Sequence, residues 1–544
     1  LHMTWTQIYD PMGSLALSSL VAAIPMIIIF YMLAIRRTPG HIAGAVAVTS
    51  AVLIAIFAYK MPAGLALSAT GMGALYGIFP IFWIVIMAIF IYNITVETGQ
   101  FEIVKNSIAA ITDDRRLQAL LVAFAFGAFL EGAAGFGTPV AISAGMLVGL
   151  GFNPLYAAGL CLIANTAPVA FGGIGIPIIV AGQVSGVDTM QISAMVGRQL
   201  PFLSIIIPIW LVTLMSGWKS CMEVLPACLV AGVSFAGLQW FSSNYLGPEL
   251  PDILSSLAAI ISLALFLRVW KPATIWRFEN EKAPTLQVKG VDSTAAVIKA
   301  WSPFIILTVM VILWGLKPVA AMLDTVTLKW LVPGLHKAII QVAPIAKSPK
   351  AMDVIFKVNW LSAAGTALLF ASIFSSMVLG VGPSRYFSIL GRTFSQLKKP
   401  LITIPCVLGL AYIMNFSGMS ATMGLFLAGT GSLFPFFAPV LGWLGVFLTG
   451  SDTSANALFG NLQAVTAQQV GVDPVLTVAA NSSGGVTGKM ISPQSIAVAT
   501  AATGLVGKEG DLFNFTVMHS FVLCIIVCIM TYAQAYFLSW MIPH

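Results

Sequence analysis

Charge is what this sequence has least of. Only 8% of its 544 residues are Asp, Glu, Lys or Arg, against roughly 25% in ordinary soluble domains. So few charges cannot cover a water-facing surface, which excludes a soluble globular enzyme. Disorder is excluded as well, because a disordered chain combines low hydrophobicity with high net charge. Cysteine is also scarce. All six (Cys161, Cys221, Cys228, Cys406, Cys524, Cys528) lie in apolar stretches without paired spacing, so free thiols are expected and no disulfide framework. Cys524 and Cys528 are one helical turn apart, but no His or acidic cluster makes them a metal site. No Gly-x-x-x-x-Gly-Lys-[Ser/Thr] loop, haem or paired-His spacing, nucleophile elbow or His-Glu-x-x-His occurs. ATP-driven transport through this chain, redox work and intramembrane hydrolysis lose their signatures. No cofactor is expected.

Apolar residues make up 58% of the chain, and mean hydropathy is +0.96. The apolar runs are near-continuous and do not alternate, which points to an all-α polytopic membrane protein and away from a β-barrel. A helix needs about 20 apolar residues to cross the hydrocarbon. Twelve such spans are read at 13–35, 41–59, 74–96, 154–182, 199–217, 222–241, 253–270, 300–317, 358–380, 400–418, 474–506 and 512–541. Residues 60–73 and 242–252 are read as loops. The first span is too long for a cleavable signal peptide, and Leu1-His2 before Met3 reads as a cloning scar.

The net charge of +7 suits cytoplasmic loops rather than a nucleic-acid partner. Arg36, Arg37 and His41 place the first loop inside. Lys105, Arg115 and Arg116 do so for 97–118, five basic residues (Lys271, Arg277, Lys282, Lys289, Lys299) for 271–299, and Arg385, Arg392, Lys398 and Lys399 for 384–399. Both termini then fall outside. The segment 318–357 breaks the pattern: it falls outside yet carries Lys329, Lys337, Lys347, Lys350 and Lys357. Within it, Leu328 to Ile340 reads as an amphipathic helix on a surface or partner-facing element. Trp5, Trp270, Trp330, Tyr412 and Trp540 suit an interfacial aromatic belt, and His519 reads as a packed or interfacial residue of the last span.

Two further apolar stretches, 117–150 and 433–470, are interrupted halfway by Gly-rich polar sequence and are read as re-entrant hairpins. They belong to a repeat. Phe129-Leu-Glu-Gly is followed by Gly151-Phe-Asn-Pro154, Asn165-Thr-Ala-Pro168 and Gly172-Gly173. Phe447-Leu-Thr-Gly is followed by Gly471-Val-Asp-Pro474 and Asn481-Ser-Ser-Gly-Gly485. The hairpins open from opposite sides, so the repeat is inverted: 3–241 forms the first half, 242–299 a connecting span and loop, and 300–544 the second half. Broken helices in corresponding places of two halves are the best sequence pointer to a transporter's binding site. Non-helical backbone at membrane depth survives only where protein or water satisfies it, and half-helix N-termini there suit an anion.

Ionisable residues in these cores are few. Between 117 and 197 there are only Glu131 and Asp188, and between 401 and 507 only Asp452, Asp473 and Lys489. A charge at a helix centre costs about 2.5–3.5 kcal/mol on insertion scales, so each one needs a reason. Asp188 and Asp473 fall at span ends. Glu131, Asp452 and Lys489 fall at the hairpin tips and the second break. Lys489 is the candidate cation for a carboxylate substrate. Gly135, Gly137, Thr138, Gly172, Gly173, Ser451, Thr453 and Asn456 are candidate contacts, as are Asn165, Thr166, Asn481, Ser482 and Ser483 through their hydroxyl and amide groups. Backbone N–H groups of Gly132–Gly137, Gly172–Gly173 and Gly484–Gly485 are candidate donors. The Ser and Thr residues serve equally well as half-helix caps. Glu131 or Asp452 is the candidate proton carrier, with a fixed ion pair to Lys489 as the alternative role.

Glu131-Gly-Ala-Ala-Gly-Phe-Gly-Thr-Pro139, Asn165-Thr-Ala-Pro-Val-Ala-Phe-Gly-Gly173, the run from Gly450 to Asn461 and the opening Trp5-Thr-Gln-Ile-Tyr-Asp-Pro11 resemble the bacterial lactate permease family over essentially the whole chain. The resemblance implies proton-coupled uptake of L-lactate, D-lactate and glycolate across the inner membrane. It also implies an elevator-like carrier built from inverted repeats. The partners so implied are a small monocarboxylate, protons and the lipid bilayer, with monomer and homodimer both open. Sodium coupling, through the oxygen-rich breaks at Ser451–Asn456 and Asn481–Gly485, is the alternative within transport; an anion channel is the alternative outside carriers.

Overall fold

The computed structural model describes residues 4–135, 138–279, 281 and 292–544. Among these, eleven helices are long and apolar enough to cross a membrane, or twelve if one bent pair counts as a span. The chain is a multi-pass helical membrane protein. Helices Leu15–Ile35, Gly40–Phe57, Leu225–Tyr245, Pro251–Val269, Thr294–Gly315, Lys398–Ser417 and Glu509–Tyr536 fall close to the apolar runs. Several boundaries move. The run at 358–380 holds a helix of only 16 residues, Ala364–Leu379. Residues 60–73 are not a loop: Ala63–Tyr76 is helical and packs on Lys398–Ser417. Met419–Leu427 is a further helix between two expected segments. Ala63–Tyr76 is rich in Gly, Ala and Ser, which read as loop-forming but let membrane helices approach closely.

Both Gly-rich interruptions are real breaks. Arg115–Ala133 stops at 134–135 and Thr138–Gly149 runs back beside it. Phe434–Thr449 stops at Gly450, and Asp452–Val470 returns along it, with Gly445 against Ala455 and Phe459. Thr138–Gly149 has 12 residues, about 18 Å of helix, too short for a bilayer core of about 30 Å. Pro154–Ala164 and Val169–Ser185 are bent by 64° across their break. Pro474–Gly488 and Pro493–Thr503 are separated by the tight turn Lys489–Ile491.

The two Gly-x-[Asn/Asp]-Pro motifs do the same local job. Asn153 accepts from the Leu155 N–H and Asp473 from the Val475 N–H, each 2.9 Å, and Pro follows at the first helical position. These are N-caps with a Pro start. Asp188 caps its own helix through Gln191. The segments around the two motifs then exchange contacts. Thr138–Gly149 packs on Pro493–Thr503 of the other half, and Asp452–Val470 packs on Gly172–Ser185. Two large apolar cores result, each drawing residues from both halves of the sequence, with a small third cluster at Phe434, Ala438 and Ala480.

The segment after Thr294–Gly315 departs from expectation. Leu328 to Ile340 is not a helix: Leu328–Leu331 pairs antiparallel with Ile355–Val358, and Ile339–Gln341 pairs with Lys350–Ala351. Pro333-Gly334 turns the chain where a helix would have to continue. The N-terminal strand Trp5–Thr6 adds in parallel to Ile339–Ile340. Tyr412 is no belt residue. It is buried, stacks on Tyr76 and accepts a 2.7 Å hydrogen bond from Gln183. His519 is packed, its Nδ1 accepting from Trp210 Nε1 at 3.0 Å.

Candidate functional site

Four chain breaks meet around one cavity of about 110 Å³, well above the ~10–15 Å³ that a single water requires. Glu131 and Gly135 come from the first hairpin tip. Val169, Gly172, Gly173, Ile176 and Pro177 come from the first broken helix. Gly450, Ser451, Asp452 and Thr453 come from the second hairpin tip. Lys489, Gln494, Ser495 and Val498 come from the second broken helix. Residues as far apart as Glu131 and Lys489, 358 positions, are thus brought to one spot by breaks that the sequence pattern marks.

The first break is set by backbone geometry. Gly173, Ile174 and Gly175 all have positive φ (53°, 60° and 74°). Ile174 is a β-branched residue in the left-handed region, which costs of order 1–3 kcal/mol and clusters at functional sites. Burial of its side chain offsets that cost. At Gly175, a Cβ would lie 2.3 Å from the Pro248 carbonyl oxygen.

Two helices begin at the cavity. Asp452–Val470 is capped by Ser451, whose Oγ accepts from the Ser454 N–H at 3.2 Å. Pro493–Thr503 is capped by Ser492, which accepts from the Ser495 N–H at 3.2 Å. Their positive dipole ends face the space between them. Lys489 Nζ lies 3.4 Å from Glu131 Oε1, and the two side chains are only 12% and 5% exposed. Glu131 Oε2 has no hydrogen-bond partner.

Each hairpin acid rests on a glycine of the broken helix in its own half. A Cβ on Gly172 would stand 2.4 Å from Glu131 Oε1, and a Cβ on Gly485 would stand 2.4 Å from Asp452 Oδ1. Only hydrogen at the α-carbon leaves room for the carboxylate. Asp452 Oδ2 accepts from Ser482 Oγ and, at 3.4 Å, from Asn456 Nδ2; its Oδ1 has no partner.

Other expected contacts lie outside the cavity. Asn456 Nδ2 donates to the Pro177 carbonyl at 3.0 Å, Asn481 Nδ2 to Asn456 Oδ1 at 2.9 Å, and Gln463 Nε2 to Asn481 Oδ1 at 3.0 Å. This buried chain ties the second hairpin to both broken helices. Ser483 donates to Gln199 Oε1 at 2.7 Å, away from the cavity. Asn165 and Thr166 are buried in the turn after Pro154–Ala164, and Thr166 Oγ1 is unpartnered. Gly484 and Gly485 sit inside a continuous helix, so their N–H groups are committed there. Thr138 starts its helix. Gly137 lies outside the described residues, as do Lys282 and Lys289 of the basic loop.

Sequence reasoning missed three residues. Gln494 and Ser495 follow Ser492-Pro493, a cap-plus-Pro signal that could have located them. Asp252 is the third. It is 1% exposed, both carboxyl oxygens lack partners, and its Cβ is where a side chain on Gly132 would go. Its position after Pro251 reads as an ordinary acidic first turn, which hid it. No cluster of three or more His, Cys, Asp or Glu able to hold a metal occurs among the described residues.

The sequence model of the L-lactate permease family matches residues 18–538. The chain belongs to this family. Its relatives include the glycolate permease of Escherichia coli strain K12, 54% identical over 99% of this chain and 100% of the relative. The L-lactate permease of Bacillus subtilis strain 168 is also 54% identical, with the same coverage. The L-lactate permease of Escherichia coli strain K12 is 52% identical, again over 99% and 100%. Among solved structures, the YdaH transporter of Alcanivorax borkumensis covers 88% of each chain at 14% identity and a TM-score of 0.45. The permease is thus placed by relatives that span it end to end.

Proposed function

We propose that this permease is a secondary carrier that imports L-lactate, and with it D-lactate and glycolate, together with protons across the bacterial inner membrane. Its relatives are named for lactate and glycolate. The observation that carries the reading is the meeting of two hairpin tips and two helix breaks on a small cavity holding the Glu131–Lys489 pair. In this reading the hairpins are re-entrant, 3–241 and 300–544 are inverted repeats joined by 242–299, both termini are periplasmic, and the hairpins and broken helices move as an elevator.

Coupling follows from charge. Glu131, Asp252 and Asp452 are all buried; Glu131 pairs with Lys489, Asp452 lines the same cavity as that ammonium, and Asp252 lies against Gly132, next to Glu131 in the chain. A further carboxylate entering this low-dielectric space is disfavoured unless a negative charge is removed. The substrate carboxylate takes the place of the Glu131 carboxylate at Lys489, and Glu131 binds a proton from solution. One anion and one proton enter, and the cavity's net charge is unchanged. Asp452, with its unpartnered Oδ1, is the second candidate carrier of the proton. Ser451, Thr453 and Ser495 supply donors and acceptors for the 2-hydroxyl, and the two helix N-termini stabilise the bound carboxylate.

The test is radiolabelled L-lactate uptake into proteoliposomes under an imposed pH gradient, with choline replacing sodium in a parallel arm. Accumulation that follows the pH gradient in choline supports the reading. Accumulation only with sodium, or flux that never exceeds equilibrium, overturns it in favour of sodium coupling or a channel.

A further inference from the structure

A second, larger cavity of about 920 Å³ adjoins the first. Ile176, Ser451, Thr453 and Gln494 line both. One wall comes from the helices Leu15–Ile35 and Lys398–Ser417 and from the link between Leu15–Ile35 and Gly40–Phe57. The other comes from the second hairpin, Pro493–Thr503 and the start of Glu509–Tyr536. Most of its lining residues are apolar. Its ionisable lining residues are Arg37, His41, Lys399 and Glu509, so two permanent cations and a histidine face one carboxylate. The three bases stand on segments 36–41 and 384–399, which loop charge places in the cytoplasm.

We propose that this cavity is the aqueous passage between the carboxylate site and the cytoplasm, standing open in this structure, and that Arg37, His41 and Lys399 form an anion-collecting station at its mouth. The proposal rests on the transport reading above. A cleft with low-dielectric walls and one sign of charge concentrates field lines and raises the local concentration of the opposite ion. The station acts on encounter, not on the site's chemistry. Its effect is confined to the face it opens on and is weakened by salt.

The experiment compares L-lactate exchange in right-side-out and inverted vesicles for wild type, for Arg37→Gln combined with Lys399→Gln, and for Arg36→Gln, an exposed neighbour outside the cavity lining. The expected result is a roughly tenfold higher KM in inverted vesicles at low salt for the double variant, shrinking at high salt. Its maximal rate and its KM in right-side-out vesicles stay unchanged, and Arg36→Gln behaves as wild type. An equal change on both faces, or none on either, overturns the proposal. A second readout is labelling of Ala497→Cys, made with Cys406→Ser, by a membrane-impermeant thiol reagent. Labelling in inverted vesicles is expected. Labelling only by a lipid-soluble reagent shows a lipid-filled cleft and overturns the passage. A wild type that exchanges no lactate in either orientation overturns the transport reading instead.

Discussion

Glu131 and Lys489 are 358 positions apart in the chain, and Lys489 Nζ nevertheless stands 3.4 Å from Glu131 Oε1. The contact joins the first hairpin tip to the break in the second broken helix. Among the described residues one other ion pair, Glu97 with Arg392, joins residues 3–241 to 300–544, and it is far more exposed. Removing one partner of a buried charge pair costs about 2–5 kcal/mol, much of it from the charge left behind.

Lys489→Gln is therefore expected to lower initial L-lactate uptake by about 30-fold or more, the rate equivalent of about 2 kcal/mol. Glu131→Gln added to Lys489→Gln restores thermal stability, because no unpaired charge remains, but does not restore uptake. Proteoliposome uptake and a thermal melt of the purified variants check both statements. Uptake near wild type in Lys489→Gln removes the lysine from substrate binding.

Glu131→Gln by itself separates binding from coupling. An amide fills the carboxyl's place but takes up no proton. Exchange of internal for external lactate is expected to continue, while accumulation driven by a pH gradient falls to the level without one. Asp452→Asn is measured alongside. If both variants keep gradient-driven accumulation with unchanged pH dependence, the proton rides on neither group.

Gly172→Ala and Gly485→Ala test the seats of the two acids. The added methyl would lie 2.4 Å from Glu131 Oε1 and from Asp452 Oδ1 respectively, so the carboxylate must move. Overpacking of this kind costs about 1–3 kcal/mol. Both variants should fold and reach the membrane, with uptake reduced at least tenfold. Full uptake in either shows that its carboxylate has freedom to shift.

Gly175→Ala and Gly186→Ala place the same methyl at nearly the same φ, 74° and 73°. Around Gly186 nothing lies within 4 Å, whereas at Gly175 the Pro248 carbonyl is 2.3 Å away. Gly186→Ala should cost only the left-handed strain, about 1–2 kcal/mol. Gly175→Ala should cost clearly more. Equal melting temperatures would mean that the backbone at 248–249 yields.

Much of this is legible in the sequence. The breaks at 134–135, 165–171, 450–451 and 489–492 are marked by Gly, Ser and Pro inside or beside them in apolar runs, because membrane helices stop only where such residues allow it. Glu131, Asp452 and Lys489 stood out because charge is scarce. The placement of Asn456, Asn481 and Ser483 was not readable. An amide at a break looks the same in sequence whether it meets a ligand or another buried amide, and here Asn456, Asn481 and Gln463 satisfy one another. Asp252 escaped because its partner in space, Gly132, has no side chain to signal the contact. The helix Ala63–Tyr76 escaped because small residues mark turns in water and packing surfaces in lipid.

The pairing of Trp5–Thr6 with Ile339–Ile340 orders events in time. The opening strand has nothing to pair with until the ribosome has added 334 more residues, from 5 to 339, roughly 20 to 70 s of synthesis at about 5–20 residues per second. Gln7, which donates to the Phe416 carbonyl at 2.8 Å, waits longer still. Segment 5–7 is thus among the last parts to find its place, and it docks only once residues 339 and 416 have been made.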